Sequence, residues 1–383
     1  MIDNLEPLDE DAILPDSQQE DEGDLSDNIS FKEAIVMNTD WTIDTLNNQI
    51  TKGNIDLQPS FQRRSAWDDI RKSKLIESMI VGIPVPSIVL AENKERKGRF
   101  IVIDGKQRLV SINDFYKEEF KLKKLEIRPD LNNKSYSELP EEDREFLDNN
   151  TFRSTLIRNW VDDDFLYTIF YRLNSGSLAL SPQELRKALI GGSLLNYIED
   201  YLQRSVSFKK VFGEKLDKRM RDSELVLRYI SYELHVKDYA GNLKAFLDTL
   251  VTEFESDWSN KKAIVDLLFE RLDLAIDTAY EIFGKNAFKK WTVEGRYEKT
   301  INRAVFDAVA RFFGEQHVAD AAIANKDLLI DVYKKTCINL DFKNAVEKTT
   351  KTRSSVDTRI NIWGCELAKA LGMQYDPSEK RVS

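Results

Sequence analysis

Phe100-Ile101-Val102-Ile103-Asp104-Gly105-Lys106-Gln107-Arg108-Leu109 is the stretch on which the fold turns. Its first four residues are all apolar, the pattern of a short strand of the buried kind. After Asp104-Gly105 the period changes. Leu109, Ile112, Tyr116 and Phe120 recur at intervals of three, four and four, which is helical. A buried strand therefore passes through a glycine into a helix. Glycine at such a junction lets the backbone turn sharply and approach a ligand closely. First-turn amides of the helix lack intrahelical partners and can bind phosphate, and Lys106 and Arg108 add positive charge there. A second reading fits the same residues: Asp104 caps the helix and Arg108 sits in a structural ion pair.

Upstream, Ile43, Leu46 and Ile50 have helical spacing, and Asn54 to Phe61 reads as extended. Ser65-Ala66-Trp67-Asp68 looks like a helix start with Ser65 as N-cap. That helix carries Leu75, Ile76, Met79 and Ile80 on one face and stops at Gly82. Pro84 and Pro86 force an extended path into a strand over 87–91, and Glu92 to Gly98 forms a charged hairpin loop. Residues 40–130 thus read as a mixed α/β unit. From about Glu141 the chain reads as almost all helix. Ser181-Pro182-Gln183-Glu184 places Ser at N-cap, Pro at N1 and Glu at N3, a capping box. Further helices are expected at about 222–236, 242–256, 260–283, 299–314, 326–337 and 355–371. The predicted fold class is α+β, a small mixed α/β domain followed by a larger all-helical one. The expected divisions are an acidic tail at 1–30, the α/β domain at 31–135, helices completing its site at 136–192, and a helical domain at 193–383.

Composition bounds the class. Charged residues at 32% and hydrophobic ones at 42% of 383 residues fit a globular chain of two or three domains. No apolar run is long enough to span a bilayer, and the acidic N-terminus does not resemble a secretory signal, so a cytoplasmic protein with no membrane partner is expected. Residues 1–30 carry eleven acids and no Lys or Arg; setting −11 against the chain's −10 leaves +1 for the rest. The tail reads as disordered, either solubilising or covering a basic groove. The body is near neutral, and local basic patches on it can bind phosphate. Cys337 and Cys365 match no zinc or redox spacing and read as buried thiols.

Other constellations carry weaker signals. Gln62, Arg63 and Arg64 precede a helix start beside Trp67, an anion-binding arrangement or plain surface charge. Asn174 lies at a helix C-terminus followed by Glu184 and Arg186; Asn and Glu offer oxygen ligands for Mg²⁺ beside a phosphate, or form an ordinary C-cap and turn. Lys209, Lys210, Lys215, Lys218, Arg219 and Arg221 can track a nucleic-acid backbone or face their own acids, and Lys94, Arg96 and Lys97 form a second basic group.

Taken in order, these blocks resemble a known family. They are Ile55-Asp56-Leu57-Gln58-Pro59-Ser60-Phe61-Gln62-Arg63-Arg64-Ser65-Ala66-Trp67, Leu75 to Pro86, Ile103 to Leu109, Arg172 to Gly176 and Leu180 to Arg186. The sequence is similar to the N-terminal domain of GmrSD-type modification-dependent restriction endonucleases, within the ParB/sulfiredoxin-like superfamily. The resemblance spans about residues 40–230 and is weaker beyond. It implies an α/β domain that binds, and in some members hydrolyses, a nucleoside triphosphate with Mg²⁺ in DNA defence. Carried over by residue, it implies nucleotide contacts from Gln62, Arg63, Asp104, Gly105, Lys106, Gln107, Arg108, Asn174 and Arg186, and metal contacts from Asn174 and Glu184. The expected partners are a nucleoside triphosphate, DNA, a separate nuclease or other effector subunit, and a second copy of the chain.

Three departures qualify this. Lys106 stands where the signature more often has Gln. The family's His-Asn-His nuclease needs clustered histidines, and this chain has only His235 and His317, far apart, so that half is expected to be absent or on another chain. No cysteine lies near Asp104, which argues against redox repair. The leading reading is a nucleotide-dependent sensor or regulator. The alternatives are a DNA-binding module using Lys94–Arg99 and Lys209–Arg221, and a nuclease drawing on Asp56, Asp104 and Glu184.

Overall fold

The computed structural model describes residues 33–57, 67–94, 96–161, 163–173, 181–217 and 219–383. Residues 1–30, Gln62, Arg63, Asn174 and Lys218 lie outside the described residues. The described residues form two compact units that divide after Leu189.

The first unit contains β1 (Ile35–Thr42), α1 (Ile43–Thr51), β2 (Ile55–Asp56), α2 (Asp69–Ile80), β3 (Ile88–Glu92), β4 (Phe100–Asp104), α3 (Lys106–Tyr116), α4 (Glu141–Asn149), β5 (Thr151–Arg158), α5 (Asp163–Leu173) and α6 (Pro182–Leu189). The strands form one mixed sheet in the order β1-β5-β3-β4-β2. β1 with β5 and β3 with β4 are antiparallel; β3 with β5 and β2 with β4 are parallel. The apolar run of β4 has a physical reason. Phe100 and Val102 enter the apolar cluster with Ile76, Leu109 and Ile112, and Ile101 and Ile103 enter the opposite one with Phe165, Leu166 and Leu185. Helices cover both faces, so alternate positions are all apolar.

Local details differ from the sequence reading. The N-cap of α2 is Asp68, whose carboxylate accepts from the Arg71 amide at 2.8 Å, and not Ser65. α3 stops at Tyr116; Phe120 lies beyond it yet stays buried against Phe115, 5.6 Å between ring centroids. The largest correction is β5. It lies between two helices and pairs with β1 and β3, in a region expected to be almost all helix. Its reason is the two-residue period of Phe152, Ser154 and Leu156, which are buried, between exposed Thr151 and Arg153 and partly exposed Thr155.

The second unit is helical, with a short hairpin of β6 (Tyr375–Asp376) and β7 (Arg381–Val382). Its helices are α7 (Ser193–Arg204), α8 (Val206–Phe212), α9 (Arg221–His235), α10 (Leu243–Ser256), α11 (Trp258–Phe283), α12 (Arg303–Phe313), α13 (Gln316–Ala324), α14 (Lys326–Ile338), α15 (Leu340–Glu347) and α16 (Arg353–Leu371). Every residue of α12 is buried. Its polar positions, Arg303, Asp307 and Arg311, recur every four residues and so line one side of the helix. Buried charges need partners, and these three find them on α9 and α16. Asp307 accepts from Arg228 at 2.5 Å and Arg359 at 2.8 Å, Arg303 meets Glu224 at 3.1 Å, and Arg311 meets Glu233 at 3.2 Å. Burial lowers the Arg311 guanidinium to about 10, against the opposing pull of Glu233. α8, α13 and α15 each span fewer than ten residues and are not among the helices expected from periodicity.

Candidate functional site

β4 ends at Asp104 and α3 begins at Lys106, and Gly105 between them has φ +91°. That is the left-handed region, open to glycine and strained for other residues. A Cβ at Gly105 would collide with the Ile88 side chain and lie 3.0 Å from the Arg108 Nη2. Two constraints, dihedral and space, therefore require glycine. α3 receives no side-chain cap. Asp104, one of the two readings of the cap, instead accepts from Arg108 Nη2 at 2.9 Å. The same nitrogen donates to the Ser87 carbonyl at 3.0 Å, joining the ends of β3 and β4. The Arg108 and Asp104 side chains are 12% and 22% exposed, so this pair is well shielded. Arg108 Nε is buried with no hydrogen-bond partner.

α6 brings the second group to this turn. Ser181 and Glu184 form the reciprocal capping box: the Glu184 amide donates to Ser181 Oγ at 3.1 Å, and the Ser181 amide donates to Glu184 Oε2 at 2.7 Å. The other Glu184 oxygen lies 3.4 Å from Lys106 Nζ, with both side chains under a tenth exposed. Leu185 packs with Ile103 in one apolar cluster, which fixes α6 beside the end of β4. Arg186 is fully buried and donates to Gln183 at 2.6 Å. Asp104, Gly105, Lys106, Gln107, Arg108 and Glu184 are thus gathered where strand meets helix. Sequence reasoning missed Ser87 and Ile88, the carbonyl and the wall of the turn. A main-chain acceptor leaves no residue-type signal, and Ile88 reads only as core.

Residues 43–191 match the family described as the GmrSD restriction endonuclease, N-terminal domain. This stretch is a GmrSD-type N-terminal domain. The match takes in the α2 block, the β4–α3 turn and the capping box of α6, and it ends at the start of the helical unit. Comparison with curated proteins returned no match, and neither did comparison with solved structures.

The remaining predicted residues lie elsewhere. Lys94, Arg96 and Lys97 are exposed in the β3–β4 hairpin, at the far end of β4 from Asp104, and Lys94 Nζ sits 4.1 Å from the Trp160 ring centroid. In the helical unit, Lys209 donates to the Gln203 carbonyl at 2.5 Å, and Lys210 faces Asp277 at 3.2 Å. Arg221 is buried and meets Asp217 at 2.8 Å, and that carboxylate also accepts from the Arg219 amide. His235 lies 3.3 Å from Glu253, and His317 faces the Val382 carbonyl at 3.2 Å. Among the described residues, no three His, Cys, Asp or Glu side chains gather as a metal site, and no helix is long and apolar enough to cross a membrane.

Proposed function

We propose that the GmrSD-type domain binds a nucleoside triphosphate with Mg²⁺ at the β4–α3 turn. On this reading the chain is the nucleotide-responsive regulator in a restriction-type defence system, acting on a separate effector subunit. The observation that carries the reading is the Gly105 turn: a glycine-dependent entry into a helix without a side-chain cap, flanked by Lys106 and Arg108. A helix N-terminus whose N-cap residue has no side chain, together with the helix dipole, favours a phosphate there.

Both cations already have carboxylate partners, and this gives the turn a way to respond. A phosphate drawing on Arg108 competes with Asp104, and one drawing on Lys106 competes with Glu184. Loosening the second contact frees a residue of the α6 capping box. Ligand binding is thereby coupled to the start of α6. Gln62, Arg63 and Asn174 enter this proposal through the family resemblance alone, Asn174 and Glu184 as metal ligands.

Equilibrium binding of fluorescent ATP, GTP, CTP and UTP analogues with Mg²⁺ tests the reading. One nucleotide is expected to bind, and Gln107→Glu, which adds a negative charge to the first turn, is expected to weaken it by roughly tenfold or more. Binding unaffected by Gln107→Glu places the site elsewhere. The exposed Arg96 and Lys97 support a second reading, phosphate-backbone contact by the hairpin. Each neutralised phosphate should then contribute about −0.9 to the slope of log affinity against log salt.

A further inference from the structure

β1 is an edge strand of a kind that proteins usually protect. Among the described residues no strand lies outside it. Edge strands are normally blunted by lysine, proline, bulges or shortness. β1 has eight residues, an unbroken register with β5, and neither Lys nor Pro. Instead it presents Ile35, Val36 and Met37, which are 50%, 59% and 41% exposed. Alternating strand geometry places Ile35 and Met37 on one face and Val36 on the other. The apolar surface therefore surrounds the free edge and does not belong to one sheet face.

We infer that β1 pairs with β1 of a second copy of this chain, antiparallel about a two-fold axis at Val36. The occupant follows from self-complementarity. With Val36 opposite Val36, Ile35 faces Met37, Ala34 faces Asn38 and Glu33 faces Thr39. All three apolar residues then meet apolar residues. The only charge between Glu33 and Thr39 faces a neutral side chain, so no like charges oppose. Asp40, just beyond, already faces Arg153 of β5 at 3.5 Å. Shifting the axis to Met37 sets Val36 against Asn38 and Ile35 against Thr39. Shifting it to Ile35 sets Met37 against Glu33. The Val36-centred register alone among these keeps the apolar residues together. Closed two-fold pairing is the commonest assembly symmetry, and it covers the β1 edge of each copy at once by joining the sheets into one of ten strands.

The test uses the full chain carrying Cys365→Ser, which removes its exposed thiol. Opposed residues of antiparallel strands have Cα atoms about 4.5–5.5 Å apart, within the roughly 4.4–6.8 Å range a disulfide spans. Val36→Cys is expected to form an intermolecular disulfide on mild oxidation. Asn38→Cys is not, since four residues of offset, about 13 Å, separate the two copies. Analytical ultracentrifugation should show a dimer whose dissociation constant rises at least roughly tenfold in Val36→Lys. The unchanged circular dichroism of that variant would establish that the fold survives. A chain that is monomeric at every soluble concentration overturns the inference. So does a dimer indifferent to Val36→Lys, or one that cross-links as readily through Asn38→Cys.

Discussion

Gly105 is held by two independent constraints, and each can be tested by one methyl group. Gly105→Ala puts a Cβ into the Ile88 side chain at φ +91°. Left-handed backbone at a non-glycine residue and the forced shift of Ile88 should together cost about 1–3 kcal/mol. Urea unfolding of the two proteins measures that cost, and an unchanged midpoint would mean the turn has room that this geometry denies. Cys337 offers a second test. It is buried, whereas Cys365 is exposed, a correction to the reading of both as buried thiols. Burial pushes the Cys337 thiol up to about 11, from 9.0. The unfolded thiol then loses its proton first as pH rises, so stability falls from about pH 9 to about pH 11. At neutral pH a thiol reagent should therefore titrate Cys365 alone in the native protein and both cysteines after denaturation. Rapid native modification of Cys337 would contradict its burial.

At the scale of elements, the parts best read from sequence were those specified by local chemistry. The apolar run and glycine of β4–α3, the proline-bounded path into β3 and the Ser181–Glu184 box each act within a few residues. β1 and β5 are specified by each other across more than a hundred positions. The same limit hid the charge network of α12. Arg303, Asp307 and Arg311 read as ordinary helix-surface residues until the helix is known to be buried throughout. Asp307→Asn tests that network. The substitution keeps the shape but gives Arg359 an amide in place of a carboxylate and takes the closer carboxylate from Arg228. Breaking a buried ion network in this way typically costs about 3–5 kcal/mol, which thermal unfolding would register directly. A loss near zero would mean that water reaches the network.

For the whole molecule, the GmrSD-type domain and the helical unit differ in how much the sequence revealed. The residues of the turn carry motif chemistry and could be singled out in advance. Their partners could not: Lys106 meets Glu184 across 78 positions, and the packing of Leu185 in the cluster that holds Ile103 helps bring them together. The proposal that this turn is a nucleotide site is tested most directly by thermal unfolding of the full chain with each nucleoside triphosphate and Mg²⁺. A ligand at 100 times its dissociation constant adds about 2.7 kcal/mol. Each kcal/mol moves the midpoint of a 150–250-residue domain by about 2–4 °C. The account predicts a clear rise with one nucleotide, cut by about half or more in Gln107→Glu when each protein is read against its own ligand-free midpoint. No shift with any of the four nucleotides would contradict it and leave the turn a structural link between β3, β4 and α6.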